Sequence, residues 1–472
     1  MSRMKVEALL DKKEAREIRL LKKVILQGGQ MSDVELTTYL GISKGSLESD
    51  LRELAYYLKP YEEQCRLTYD GQRVHLHMVS GFSINQVEHD YIRGSLKYQL
   101  IDYLFTHREF TIVQLTNTFV ISESSLFRKI KELNSLLKEF GIQIKNGQMK
   151  GEELQIRYFF FQIYWFLTPY ERHLKERNNS QNNRIILALE KGLSVSFDQD
   201  SRLKIGVWLT ISKKRLGVSG KDYRLLTAKA KDYERDPLFK QLRSVVLRFF
   251  SRYPLEVDEE ESLLHFVFLT SMFVLSEKDF ESYALIRGRR TAASLADTFI
   301  LEHVLLYYRP QKLSPALEKK IFYYFSQIHS RLYFFQGELE LFDQDHIWKQ
   351  EETLSGHHLV TLCHKLFSES LSILGLADEP GNSLYEWSMV KYLSVLAIID
   401  FELMGDVDIG IDLKMDPLYR EVMTQIYILS LKNVSGVRIE GYHASKTYDL
   451  IITNVMDSSI YGATQELYVV SE

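Results

Sequence analysis

The chain has 472 residues, 45% of them hydrophobic, a net charge of −4, and only two cysteines, Cys65 and Cys363. That length predicts about three domains, and the wide cysteine spacing excludes a disulfide framework and predicts a reducing, cytoplasmic setting. No run of about 18 uncharged apolar residues predicts a membrane span, and the opening Met1–Glu7 leads into a charged amphipathic segment instead of a signal peptide.

In chain order, Glu14 to Leu26 reads as a helix broken by Gly28-Gly29. Asp33 is the expected cap of a helix over Val34–Leu40. A turn through Gly41-Ile42-Ser43 leads to a second helix, Lys44 to Leu58, stopped near Pro60. Arg66 to Leu76 alternates around Asp70-Gly71, a hairpin signal. The order then repeats: a helix over Tyr91–Phe105, another over Thr111–Thr118, the turn Ile121-Ser122, and a helix from Ser124 to Phe140. Alternation from Ile142 around Asn146-Gly147 predicts a second hairpin closing near Ile156. A short helix, a tight turn and a helix opening in small polar residues make a helix-turn-helix, and a following hairpin is its wing. Two tandem copies point to DNA.

Residues 1–157 hold 23 Lys/Arg against 21 Asp/Glu, a net +2, while the remaining 315 hold 36 against 42, a net −6. A front end so weakly basic predicts DNA affinity that depends on locally placed charge or on a second protomer.

Tyr158 to Thr168 is dense in aromatic residues and reads as a buried or interface helix; 177–183 reads as a linker. From 184 to 402 the pattern is helical, with a weak repeat of Lys204–Leu216 as Lys320–Leu332, 116 residues on, and of Glu261–Ser271 as Glu386–Leu396. Aromatic residues in Tyr323–Phe335 exceed what one helix face needs, so some are expected at an interface. The tail changes period: strands at Val407–Leu413, Val437–Glu440, Leu450–Val455 and Leu467–Val470 surround a helix Pro417–Leu431 capped by Asp416, which implies at least one βαβ step.

This order resembles the Mga/AtxA-like family of virulence regulators from Gram-positive bacteria, across nearly the whole chain and most clearly in the two helix-turn-helix stretches and in Ser201–Gly220. The resemblance implies a mainly α, multidomain fold: winged helix-turn-helix domains over 1–82 and 83–160, PRD-like (phosphotransferase-system regulatory) helical domains over 161–283 and 284–403, and an EIIB-like α/β domain over 404–472. It implies a non-enzymatic, cytoplasmic transcription regulator that binds double-stranded DNA as a homodimer or higher oligomer, with a phosphotransferase-system phosphocarrier as a further partner. Typical PRDs carry a histidine seven residues before an Arg-Leu pair; here those positions are Trp208 and Tyr324, and the AtxA-like position is Ser201. His265 and His329 are the nearby candidates for phosphorylation, although helix packing is the plainer role for both. The phosphorylatable cysteine of EIIB proteins has no counterpart in Asp412–Asp416. A PRD antiterminator that binds RNA and a relic of a sugar phosphotransferase component are the alternatives.

The expected DNA-binding residues are Ser43, Lys44, Ser46, Ser49 and Arg52 in the first recognition helix, and Ser122, Ser124, Ser125, Arg128, Lys129 and Lys131 in the second. Helix N-terminal amides can meet phosphate, and an arginine reaches a guanine edge. Arg66, Arg73, Lys145 and Lys150 are the wing candidates for phosphate or minor-groove contact. Glu48 and Asp50 would repel phosphate unless turned away, which makes the second module the stronger binder. No nucleotide or hydrolase motif is present, and His357-His358 with Cys363-His364 does not complete a metal ligand set, so no cofactor is expected.

Overall fold

The computed structural model describes residues 4–176, 180–250, 259–309, 313–339, 344–379, 381–403, 407–431, 437–455, 461 and 466–470, without the side chains of 171, 176, 180, 250, 344–358 and 466. The chain divides into two compact units, Met1–Val395 and Leu396–Glu472.

The first unit begins with a short 3-10 turn, Val6–Leu9, and then α1 (Lys12–Leu26), β1 (Gln30–Ser32), α2 (Asp33–Leu40), α3 (Lys44–Leu58), β2 (Cys65–Tyr69) and β3 (Arg73–Met78). The wing is a hairpin of β2 and β3, and β1 adds to its other edge in the order β1-β3-β2. That third strand is too short to announce itself. The cap of α2 is Ser32, not Asp33: Ser32 Oγ accepts from the Glu35 amide while Glu35 bonds back to the Ser32 amide. This reciprocal box satisfies two orphan helix donors and frees Asp33 for other partners.

The second module follows as α4 (Ile84–Gly94), α5 (Leu96–His107), α6 (Ile112–Phe119), α7 (Glu123–Leu137), β4 (Gln143–Lys145) and β5 (Gln148–Lys150). The expected single helix over 91–105 is two, because Ser95 has extended backbone and caps α5 through its hydroxyl. The second wing closes at Lys150, earlier than Ile156, because Glu153 already opens the next helix. Gly147 fits its turn at φ +72°, and a Cβ there would lie 2.0 Å from the Phe110 carbonyl oxygen. That close approach excludes any other residue.

The aromatic helix α8 (Glu153–Leu167) is largely enclosed, with twelve of its fifteen residues buried. After it come α9 (Tyr170–Glu176), α10 (Ser180–Leu193), α11 (Gln199–Leu216), α12 (Arg224–Ala230), α13 (Pro237–Phe250), α14 (Glu260–Ser271), α15 (Glu277–Ile286), α16 (Ala292–Tyr307), α17 (Pro315–Phe334), α18 (Gln344–Ile373) and α19 (Ser383–Leu403), which runs across the boundary of the two units. The weak sequence repeat is visible in the packing. Helix α10 lies against α11 and α13, and α16 lies against α17 and α18 in the same pattern. Equivalent arginines of the two repeats both turn to α8: Arg215 Nη2 bonds Glu153 Oε2 at 2.6 Å, and Arg331 Nη2 bonds the Tyr158 hydroxyl at 2.8 Å. Arg157 completes this buried set with two bonds to Glu261, at 2.7 and 2.5 Å. Paired, hydrogen-bonded charges of this kind tolerate burial, whereas removal of one partner strands the other. Residues 177–179 of the expected linker lie outside the described residues, and 180–183 begin α10.

The second unit contains a four-stranded, wholly parallel sheet of β6 (Val407–Asp412), β7 (Val437–Gly441), β8 (Leu450–Thr453) and β9 (Glu466–Val469), in the order β7-β6-β8-β9. Helix α20 (Pro417–Leu431) joins the parallel neighbours β6 and β7, which is the expected βαβ step. Asp416 Oδ1 accepts from the Leu418 amide at 3.0 Å, as a cap should. Ile409, Ile411, Leu413 and Ile452 form one core face, with Met423, Tyr427 and Ile428 of α20 against it.

Candidate nucleic-acid interface

Each winged module positions a recognition helix by the same local chemistry. In the first, Gly41 turns the chain at φ +64°, and Ser43 caps α3 by accepting from the Ser46 amide at 3.3 Å. In the second, Val120 takes the same left-handed turn at φ +54°, and Ser122 caps α7 by accepting from the Ser125 amide at 3.3 Å. A β-branched residue is strained in that conformation, and Val120 is 88% exposed, so packing does not compel it. Leu47 and Leu126 are fully buried at equivalent places, as are Leu54 and Leu133. Ile130 is half-buried. The two recognition helices therefore present equivalent outer faces.

On α7 that face carries exposed Ser122, Ser124, Arg128 and Lys131, with Ser125 half-buried. On α3 it carries exposed Ser43, Lys44 and Arg52, with Ser46, Glu48 and Ser49 half-buried. Lys44 is already engaged: its ammonium pairs with Asp33 at 2.8 Å and donates to the Gly71 carbonyl at 2.9 Å. It fixes the tip of the first wing to the start of the recognition helix. The wing residues Arg73, Lys145 and Lys150 are exposed, and Arg66 is exposed beside Glu62 at 3.5 Å.

Lys129 corrects the expectation that it reaches DNA. Its side chain is 8% exposed and pairs with Asp11 and, at 3.4 Å, with Glu132. Helical geometry points it inward with Leu126 and Leu133. Asp50, its counterpart in α3, is also buried, and Arg16 of α1 grips it through two bonds of 2.5 and 2.8 Å. A carboxylate so enclosed does not face a phosphate backbone. With Lys129 removed from the favourable side and Asp50 from the unfavourable side, the modules are closer in outer-face charge than the sequence implies.

The residues that sequence reasoning missed lie at the seam between modules. Met4 and Leu9 are fully buried, the Met4 amide donates to Glu139 at 2.9 Å, and Lys97 donates to the Ala8 carbonyl at 2.8 Å and the Leu10 carbonyl at 3.2 Å. This N-terminal strap ties the start of the chain to the second module. Helix α4 adds Tyr91, which donates to Glu17 at 3.1 Å and stacks 4.1 Å from Tyr57. Burial pushes the Glu17 carboxyl up to about 7. Asn134 pins the second wing, donating to the Ile144 carbonyl and accepting from its amide at 2.9 and 2.6 Å. Phe127, on the outer face of α7, is 54% exposed.

The phosphorylation candidates lie elsewhere, and both are enclosed. His265 accepts from the Trp208 indole at 3.1 Å, and burial pulls its imidazole down to about 4. His329 is fully buried between Asp297 and Tyr392, with Asp297 also paired to Arg287 at 2.6 Å. Ser201 is buried in the first turn of α11. The side chains of His357 and His358 lie outside the described residues, while Cys363 is buried and donates to the Met389 carbonyl at 3.5 Å. Among the described residues no cluster of metal-ligating side chains occurs, and no helix is long and apolar enough to cross a membrane.

Comparison with known proteins places a family match on the second module. Residues 80–164 match the Mga helix-turn-helix domain, a span that contains α4 to β5 and most of α8. A protein of Streptococcus pneumoniae serotype 4 named as a trans-acting regulator is 23% identical over 297 residues, covering 58% of this chain and 56% of that protein. The capsule synthesis positive regulator AcpB of Bacillus anthracis is 20% identical over 216 residues, covering 44% of this chain and 43% of AcpB. The chain thus spans about half the length of the curated relatives it matches. Regulators of the Mga/AtxA type are what this chain resembles, and its second module carries their helix-turn-helix domain.

Proposed function

We propose that the chain is a DNA-binding transcription regulator whose two recognition helices read one duplex from a common frame. The observation that carries this reading is the pair of matched, outward-facing helix starts, with the intervening charges withdrawn into ion pairs, Arg16–Asp50 within the first module and Asp11–Lys129 between the modules. Exposed Arg128, Lys131, Arg52 and Arg73, with the serine hydroxyls at each helix start, supply the contacts; Lys145 and Lys150 steady the second wing on the backbone. The helical repeats fit the role of PRD-like control domains and the parallel-sheet unit that of an EIIB-like assembly domain, with self-association supplying the affinity that a nearly neutral front end lacks. His265 and His329 act as packing groups in this reading, because a phosphoryl donor cannot reach either without opening the core.

The test is duplex binding followed by fluorescence anisotropy over a salt series. Each lost phosphate contact lowers the slope of log affinity against log salt by about 0.9. Arg128→Ala with Lys131→Ala is expected to lower it by about 2, and Arg52→Ala by about 1. Unchanged slopes in both variants would remove the interface from these helices.

A further inference from the structure

We propose that a cavity of about 510 Å³ between the second winged module and the first helical repeat binds a small organic anion. Its walls come from α4 and α5 on one side and from α9, α10 and α11 on the other. The volume lies in the range of small-molecule sites, which combine an apolar body with a few placed polar groups. Here Phe105, Ile186, Leu203 and Val207 give the apolar body.

The charge on the lining selects an anion. Arg93, Arg172 and Arg202 all border the cavity, and the acidic group there is Asp102, which already accepts from the Tyr164 hydroxyl at 2.7 Å. Glu190 neutralises Arg202 through bonds of 2.8 and 2.6 Å. Arg93 has no ion-pair partner among the described residues. Arg172 touches the His89 ring at 3.3 Å. The other ring nitrogen of His89 faces the Leu167 carbonyl, so it must carry the proton and the imidazole is a neutral acceptor toward Arg172. Burial first, then Arg172 and Arg93, lower the proton affinity of that ring. Two guanidiniums are thus left to meet a carboxylate or phosphate, the geometry arginine serves best.

Gly206 supplies an independent observation. It sits in the interior of α11, where glycine is unfavourable relative to alanine. Such glycines usually admit a close neighbour, as at Gly192, where a Cβ would meet Val245 at 2.3 Å. At Gly206 a Cβ would meet nothing within 4 Å. The room it leaves is on the cavity wall and no part of the described chain uses it.

The experiment uses the full chain, thermal unfolding and titration calorimetry at fixed ionic strength. The probes are phenyl phosphate, benzoate and the neutral benzyl alcohol, each at about 10 mM. At least one anion is expected to raise the unfolding midpoint by roughly 2–4 °C, with benzyl alcohol well below that; which anion does so identifies the charged group. The response should vanish in Arg93→Ala with Arg172→Ala, which alters exposed side chains, and in Gly206→Leu, which fills open space and favours the helix. No response to either anion, an equal response to benzyl alcohol, or an undiminished response in both variants would overturn the proposal. The readout needs no DNA, so its failure and that of the DNA-binding reading are separable.

Discussion

The two winged modules place opposite charges at one structural position. Asp50 in the first and Lys129 in the second both sit on the inner side of the recognition helix, and both are held by residues at or near the start of α1. Along the sequence they look like a defect in one reader and an asset in the other. In the fold neither meets DNA. Charge along a helix informs recognition only after the inward positions are set aside, and here two residues narrow the apparent difference between the modules.

The sharpest way to break this comparison is to remove each clamp. Arg16→Ala strands a fully buried Asp50 and is expected to cost about 3 kcal/mol in urea unfolding. Asp11→Ala leaves Lys129 with Glu132, and Asp11 is 48% exposed, so about 1 kcal/mol is expected. Equal losses would mean that the two positions are not held differently.

A second effect is pH-dependent and lies at the seam. Glu17 has a folded value of about 7 against an ordinary 4.5, raised by burial, with Glu53, Asp50 and Lys13 as its charged neighbours. The folded state therefore holds the proton more tightly, and its penalty grows as pH rises from 4.5 to 7 and is complete above 7. Glu17→Gln should stabilise the protein by about 2 kcal/mol at pH 8 and by almost nothing near pH 4. A gain independent of pH would show that the carboxyl is not the cause.

The smallest effect compares the turns. Gly41→Val is expected to cost about 1–2 kcal/mol, because it installs a side chain where the left-handed backbone opposes one. Val120→Gly should gain about 0.5–1 kcal/mol once the greater freedom of unfolded glycine is subtracted. If Val120→Gly also weakens duplex binding, the strained residue serves the interface.

What the sequence revealed depended on how local the signal was. The helix-turn-helix units, both wings, the βαβ step and the buried aromatic helix rest on caps, Asp-Gly and Asn-Gly turns and apolar periodicity, all set within a few residues. The Ser32 cap was also legible, since Ser32-Asp33-Val34-Glu35 spells a capping box and the adjacent aspartate only competes with it. The inward place of Lys129 was legible in its spacing from Leu126 and Leu133, but its partner Asp11, 118 residues away, was not. Helix position could propose the outer face, but what compensates a charge on the inner side became visible only with the long-range partners.

The N-terminal strap has a consequence for synthesis. Residues Met4 to Asp11 are translated well before the groups that receive them, and Lys129 leaves the ribosome 118 residues after Asp11. At about 5–20 residues per second that delay is roughly 6–24 s. Throughout it the Arg16–Asp50 clamp can close within the first module, while Lys129 and Glu139, which hold Asp11 and the Met4 amide, are not yet made. The strap of the nascent chain thus waits several seconds for the polar groups that fix it.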